Sequence, residues 1–439
     1  MNEAAVQLRA PGIDADSTMP ASLWAATAPP GAPLQRLSGS LSTEVAVIGA
    51  GYTGLSTALH LAAAGIGCVV IDRHEPGWGA SGRNGGQVLP GLRAQRAEPR
   101  RIFGAEVGDR TYETVERAAD FLFELVERHG IDCDLVRGGS IRLAHTERGM
   151  ALLRESHAAL SAEGVASRLL DAEAVNREVG TRAYIGGRLD PRSGTLHPLK
   201  YARGLAKAAL GAGAALYRDS PATALRRDGE RWRVLTPEGE ILASRVVIAT
   251  NGYTDRVWPR LAPTLLPLNS FQIATTPLTE SQRATILPGG ACFSDTRRLI
   301  LYAQRTRDHR LVLGGRASFT LVDRVADYEV LHRVLAGLFP QLRDTPIEYR
   351  WVGTLALTRD YLPHLHAPAP GLLIAVGFNG KGVAMTTLMG KILADHIRAP
   401  AAPPGYPVTA ISPYPFHAFR QPVLHLAMYY QTLMDRLGR

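Results

Sequence analysis

Three glycines at fixed spacing set the first chemical expectation. Gly49-Ala50-Gly51-Tyr52-Thr53-Gly54 is a GxGxxG, and Asp72, next to Arg73, follows 18 residues after Gly54 (72 − 54). Gly49 permits a tight turn, Gly51 lets backbone approach a pyrophosphate, and Gly54 allows a helix and a strand to pack closely. Tyr52 and Thr53 open a helix whose unpaired N–H groups and positive dipole end suit phosphate. Asp72 is placed to accept hydrogen bonds from ribose hydroxyls. A second polar, glycine-rich run follows, Gly77-Trp78-Gly79-Ala80-Ser81-Gly82-Arg83-Asn84-Gly85-Gly86-Gln87. Its backbone amides can meet a second phosphate and an isoalloxazine ring; the bland alternative is a solvent loop. A third run, Gly377-Phe378-Asn379-Gly380-Lys381-Gly382-Val383-Ala384, carries Lys381, one of only four lysines in the chain with Lys200, Lys207 and Lys391.

The elements around these runs decide what they are. Val45 to Ile71 contains no Asp, Glu, Lys or Arg over 27 residues, long enough to span a bilayer. Glycines at 49, 51, 54, 65 and 67 argue against one membrane helix. The stretch reads instead as strand (Val45–Ile48), turn, helix (Leu55–Ala64) and strand (Cys68–Ile71), a buried βαβ unit. In that context the GxGxxG is a dinucleotide fingerprint, which NAD and FAD proteins share. Arg245 to Thr250 reads as a strand ending in Thr250-Asn251-Gly252, polar groups at the carboxyl end where open α/β sheets bind ligands. Leu372–Val376 is another buried strand, running through the third glycine turn into a helix over Val383–His396. This second helix N-terminus, with Lys381, can stabilise negative charge arriving on a bound ligand; a solvated loop lysine is the alternative.

The chain resembles the D-amino-acid-oxidase-like flavoproteins, which include glycine, sarcosine and γ-glutamylputrescine oxidases. Thr43–Gln87 is similar to their FAD domain, and Ala80-Ser81-Gly82-Arg83-Asn84-Gly85-Gly86-Gln87 points to the γ-glutamylputrescine oxidase and L-pipecolate oxidase-like branch. Ser193–Pro198, Val246–Gly252 and Gly377–Ala384 resemble later segments of the same family, and the likeness spans Glu44–Ile397. It implies FAD as cofactor. The implied contacts are Gly49, Gly51, Tyr52, Thr53, Gly54, Asp72, Arg73, Ala80, Ser81, Arg83, Asn84, Gly85, Gly86, Gln87, Ala222, Thr250, Asn251, Gly252, Gly377, Asn379, Gly380, Lys381, Gly382 and Val383. It also implies hydride transfer from an amine C–H to the flavin, then hydrolysis of an imine. Candidate substrates are γ-glutamylputrescine-like conjugates and cyclic or N-substituted amino acids such as pipecolate. Three departures matter. Trp351–Val376 lacks the cysteine to which sarcosine oxidases attach FAD, so FAD is expected to be non-covalent. Leu311-Val312-Leu313 lacks their oxygen-activating lysine, which leaves O2, a quinone or an electron-transfer protein as acceptor. Ala384 stands where their carboxylate-binding lysine falls. Lys381, Tyr302 and Trp351 are the candidate catalytic residues; for the two aromatics, ordinary sheet core is the alternative. His197 reads as a structural histidine.

The implied fold is α/β: a discontinuous Rossmann-like FAD-binding domain from 43–92, 189–255 and 351–400, and a mixed antiparallel-sheet α+β substrate domain from 93–188 and 256–350. Residues 1–42 form a Pro/Ala-rich extension, anchored by Leu23 and Trp24. Residues 401–439 form a tail ending in a helix over Val423–Leu437, whose Leu424, Met428, Tyr429 and Met434 make a docking face. Gly108–His129 reads as one long amphipathic helix, and Leu299–Tyr302 as a strand. The net charge is +9, with 45 arginines scattered along the chain (49 − 4), and no nucleic-acid module accompanies it. Three cysteines (Cys68, Cys133, Cys292), an odd number without a CxxC, argue against a disulfide framework and a zinc site. No leader pattern is read at the N-terminus, and the expected location is the cytoplasm. There is no Ser-His-Asp elbow, HExxH or P-loop. A flavin-binding assembly subunit is the non-enzymatic alternative, and an oligomer is open.

Overall fold

The computed structural model describes residues 18–92, 96–315 and 325–415, with 417, 422, 430 and 434. Of the C-terminal helix expected over Val423–Leu437, all but 430 and 434 lie outside the described residues. Val45–Ile48 is the middle of a mostly parallel sheet and is buried on both faces, which explains its unbroken apolar sequence. Its strand, Gly39–Ile48, pairs in parallel with Cys68–Ile71 on one side and Gly239–Ile248 on the other. Ala215–Tyr217 and Leu372–Val376 continue the sheet outward, and His364–Ala369 closes one edge antiparallel. A meander, Ala224–Asp228 and Arg231–Leu235, extends from Gly239–Ile248. The GxGxxG therefore sits at the topological switch point, where crossovers leave in opposite directions and open a crevice. Helix Tyr52–Ala62 leaves this turn. A Cβ on Gly54 would overlap the carbonyl of Gly49, so only glycine allows this approach of helix and strand.

A second eight-stranded sheet roofs the crevice. Its order is Ile347–Leu357, Leu266–Thr275, Leu311–Gly315, Tyr302–Arg305, Cys292–Asp295, Ser140–Ala144, Gly186–Asp190 and Arg168–Asp171. Alternation assigns its faces. Ile141, Leu143, Phe271, Ile273, Phe293, Leu311 and Leu313 point to an outer core shared with helices Ala172–Val179 and Val325–Leu338. Of the residues between them, Arg142 and Gln272 face the crevice, and Val312 packs with Trp24 and Trp351. Expected boundaries at 188/189 and 350/351 fall inside two of these strands, so both strands belong whole to the roof.

Two elements differ from expectation. Gly108–His129 divides into helices Ala105–Glu116 and Ala118–Arg128 at Arg117. Thr111 and Thr114 bond back to the Val107 and Arg110 carbonyls near the break, a habit that bends helices. The strand expected at Leu299 begins instead at Tyr302, because the Asp295 carboxylate accepts from Leu301 N at 3.0 Å and Arg297 N at 3.3 Å and folds a turn. Near the N-terminus, Ser22 caps helix Leu23–Thr27, whose Leu23 and Trp24 are buried against Leu199 and Trp351. Among the described residues, no helix is long and apolar enough to cross a membrane.

Candidate functional site

The crevice between the sheets is one cavity of 940 Å³, walled by all three glycine-rich runs and by the inner face of the roof. At the dinucleotide turn, Tyr52 N donates to Ser81 Oγ at 3.0 Å, so the second run is stitched to the helix N-terminus. Asp72 Oδ2 accepts from Ala50 N at 2.6 Å and Oδ1 from His74 N at 2.9 Å. Burial nevertheless pushes its carboxyl up to about 6. Arg73 pairs with Asp255 at 2.7 Å. Thr250 Oγ1 meets Thr254 Oγ1 at 2.7 Å, and Asn251 Oδ1 accepts from Gly377 N at 2.9 Å, tying the first wall to the third run.

The second run is held rigidly. Arg83 Nε donates to Trp78 O at 2.8 Å, and the guanidinium carbon lies 4.1 Å from the Trp78 ring centre. Its Nη2 is buried without a hydrogen-bond partner. Asn84 donates to Tyr52 OH and to the Ala80 and Ser81 carbonyls, and Gln87 Nε2 donates to the Phe293 and Ala303 carbonyls of the roof. In the third run, Asn379 Oδ1 accepts from Thr358 N at 2.9 Å and its amide donates to the Gly377 carbonyl. Lys381 is the N-cap residue of helix Gly382–Arg398, and its Nζ donates to Leu92 O at 2.9 Å and Pro90 O at 3.1 Å. Burial drives its ammonium down to about 8, against the pull of Glu116 and Asp190 and helped by Arg142 and Arg188.

On the roof, cross-strand partners form one row: Trp351, Gln272, Gly314, Tyr302, Ser294, Arg142 and Arg188. Partners in register share a face. Tyr302 hydrogen-bonds Ser270 Oγ through its hydroxyl at 2.9 Å, and burial lifts it to about 12. A Cβ on Gly314 would overlap its ring, and one on Gly85 would lie 2.5 Å from it, so two glycines make its slot. Trp351 corrects the expectation of a cavity residue. Its indole donates to Arg83 O at 3.0 Å beside Gln272 Nε2 at 2.5 Å, and Trp24 covers it edge-on at 5.7 Å, so it braces the loop from outside the cavity.

Gly54, Gly86, Gly252 and Gly377 also stand outside the cavity wall. Gly54 serves helix packing, Gly86 is hemmed in by Leu196 O and Gln304, Gly252 by Thr354 O, and Gly377 by Thr358. Gly49, Gly51, Tyr52, Thr53, Asp72, Arg73, Ala80, Ser81, Arg83, Asn84, Gly85, Gln87, Ala222, Thr250, Asn251, Tyr302, Asn379, Gly380, Lys381, Gly382 and Val383 all line it. His197 is structural: Nδ1 caps helix Pro198–Gly211 through Lys200 N, and Nε2 meets Thr27 Oγ1. Sequence reasoning missed Gln272, Tyr253, Glu116, Arg142, Arg188, Asp190 and Arg192, which also line the cavity. Arg142 had a legible signal, since Ile141 and Leu143 flank it on the opposite face of a strand.

FAD suits this wall. Gly49 and Gly51 line the cavity at the turn, Arg83 Nη2 and Gln272 Oε1 are buried polar atoms lacking partners, and two helix N-termini converge on the cavity. Residues 44–396 match the model of the family described as FAD dependent oxidoreductase (DAO). The chain is 33% identical over 423 residues to gamma-glutamylputrescine oxidoreductase of Escherichia coli (strain K12), covering 95% of this chain and 98% of that one. It is 32% identical over 416 residues to a probable oxidoreductase OrdL of Rhizobium meliloti (strain 1021), covering 91% and 94%. In fold it is similar to glycine oxidase from Geobacillus kaustophilus, with a TM-score of 0.72 at 22% identity over 85% of this chain and 99% of that one. The chain belongs to the DAO family of FAD-dependent oxidoreductases.

Proposed function

We propose that this oxidoreductase oxidises a C–N bond of an amine or amino acid over non-covalently held FAD. The candidate substrates are γ-glutamylputrescine-like conjugates and cyclic or N-substituted amino acids such as pipecolate. The observation that carries this reading is the single cavity, walled on one side by the dinucleotide turn and on the other by a polar row of the roof. Bound FAD supplies a two-electron hydride acceptor for an amine C–H; the resulting imine takes up water to give a carbonyl and a free amine. The turn Gly49–Gly54 and the N-terminus of its helix hold the pyrophosphate, and Asp72 offers its remaining lone pairs to ribose hydroxyls. Arg83, Asn84, Gly85 and Gln87, with Gly380 to Val383, would hold the ring system. Lys381, fixed on two carbonyls, sets positive charge beside a helix N-terminus, where an electron-accepting ring gains most from it. Tyr302 keeps its proton at neutral pH and positions rather than abstracts. The roof excludes water and aligns the C–H.

No cysteine lines the cavity, which supports non-covalent attachment. The lysine-free strand Leu311–Gly315 supports a second reading, a dehydrogenase that passes electrons to a quinone or an electron-transfer protein. Three buried thiols are compatible with the cytoplasm. Anaerobic addition of γ-glutamylputrescine or pipecolate to the oxidised holoenzyme is the test. Loss of the flavin band near roughly 450 nm is expected. A full amine and amino-acid panel that leaves the band intact refutes the enzymatic reading. Air then separates oxidase from dehydrogenase by whether the band returns without an added acceptor.

A further inference from the structure

The cavity extends well past the point where its glycine-rich loops meet the roof. Tyr302, packed over Gly85, marks that meeting point. From Tyr302 the inner row runs through Ser294 and Arg142 to Arg188. Those are three strand spacings, roughly 14 Å in all. Helix Glu147–Ala162 lies under the far end. Its Met150 and Leu153 pack on Ala144 and Leu169, which share the inner face with Arg142 and Arg188. A second stripe of the same helix, Leu152, Ser156, Ala159 and Glu163, repeats every three or four residues and lines the cavity with Leu160 beside it. Leu152 is 49% exposed there, and Ala159 is exposed too. Helix Ala105–Glu116 supplies Tyr112 to the same stretch of wall. Arg96 bridges the two helices: Nη1 donates to Glu163 at 3.0 Å, Nε donates to Asp109 at 3.0 Å, and the guanidinium carbon lies 5.2 Å from the Tyr112 ring centre. The result is a passage, apolar along one helix and spanned by an ion pair at its half-exposed end. An apolar wall left in water costs free energy that the apolar part of a ligand removes.

We propose that this passage is the subsite for the far end of the substrate, and that the substrate class is an extended amine with an apolar acyl or alkyl group roughly 10–14 Å from the oxidised C–N bond. This rests on the amine-oxidation reading above. It also separates the candidates named there. A compact cyclic amino acid such as pipecolate leaves the passage empty, whereas an N-acylated diamine fills it. Leu152 and Ala159 are then specificity-determining residues, because they set how much apolar surface the far end can bury.

The test uses holoenzyme of wild type, Ala159→Trp, Leu152→Ser and Leu152→Met, with FAD content and thermal midpoint as folding controls. The rate of anaerobic flavin reduction gives kcat/KM for N-acetyl-, N-butanoyl-, N-hexanoyl- and N-octanoylputrescine. Each added methylene is expected to raise it about 2- to 4-fold until the passage is full. Ala159→Trp fills the passage and is expected to lower the octanoyl-to-acetyl ratio by about 10-fold or more, Leu152→Ser by about 3- to 10-fold, with Leu152→Met restoring most of it. A second arm needs no chemistry. N-butylacetamide and N-butyloctanamide are titrated into the oxidised holoenzyme and followed by calorimetry and by the flavin spectrum, and the octanamide is expected to bind more tightly by at least about 10-fold. An octanoyl-to-acetyl ratio near one in wild type, or a ratio unchanged in Ala159→Trp, overturns the proposal. Equal or undetectable binding of the two amides overturns it as well. If no amine bleaches the flavin while N-butyloctanamide binds more tightly and Ala159→Trp removes the difference, the passage stands and the amine-oxidation reading falls.

Discussion

Lys381 is a buried cation whose surroundings can be read directly from the structure. Its ammonium is held by Pro90 O and Leu92 O, in a wall that also contains Glu116, Asp190, Arg142 and Arg188. Burial moves it from the ordinary 10.5 to about 8. That gap corresponds to roughly 3 kcal/mol against the charged form, as an upper bound for a side chain with some solvent contact. The sign follows from proton binding. Between about 8 and 10.5 the unfolded chain holds a proton at this lysine that the folded chain has released, so this group's contribution to stability rises with pH across that window. The charge is therefore present at neutral pH and expensive there. Only four lysines occur in the chain, so selective labelling of lysine side-chain carbons yields few signals. Lys381→Met identifies one by deletion, and its chemical shift in the wild type is expected to titrate with a midpoint near 8. The neighbours provide internal tests. Arg188→Met removes a repelling cation and raises that midpoint, while Glu116→Gln removes an attracting anion and lowers it. A Lys381 signal with a midpoint above about 10 refutes the burial argument. Shifts of the wrong sign in the two neighbour variants refute the cluster.

Acid precipitation of the holoenzyme is expected to leave the yellow colour in the supernatant; a coloured pellet shows a covalent flavin. Gly54→Ala forces a methyl group into the Gly49 carbonyl and displaces the dinucleotide turn. It should purify with little FAD, and full FAD content disproves the close-packing role. Trp24→Ala empties a fully buried indole site and removes its hydrogen bond to Asn84 O, 3.0 Å away. It is expected to cost about 3–5 kcal/mol, measured by denaturant unfolding, and to accelerate FAD release. Lys381→Met should lower the flavin reduction potential, measured spectroelectrochemically, and an unchanged potential removes Lys381 from the flavin's surroundings.

The nucleotide half of the site was legible because its information is local. Gly49, Gly51, Gly54 and Asp72 lie within one βαβ unit, and a strand, a turn and a helix leave little freedom in where they go. The glycine runs named loops that line the cavity, but not which of their atoms are free to face it. Asn84 and Asn379 carry the side chains one would assign to a ligand, yet both amides bond protein groups, on their own loops and on Tyr52 and Thr358. A polar side chain in a tight turn has backbone partners within reach before any ligand arrives. The roof fails to show in sequence for another reason. Its inner row draws one residue from each of seven strands between Arg142 and Trp351, and adjacency across strands depends on register. Alternation tells that Arg142 opposes Ile141 and Leu143, so its face was available from the sequence. That Arg188 is its direct neighbour was not, because 46 residues (188 − 142) and two helices separate them. Trp351 shows the same limit in reverse. It lies on the inner face, as its strand implied, but Trp24 and the Arg83 carbonyl take that position first. Fold-defining motifs are thus written along the chain, while the row that faces the cavity from the roof is written across it. Contacts across the roof are accordingly best read from paired substitutions, such as Arg142 with Arg188, whose coupling a double-mutant cycle measures.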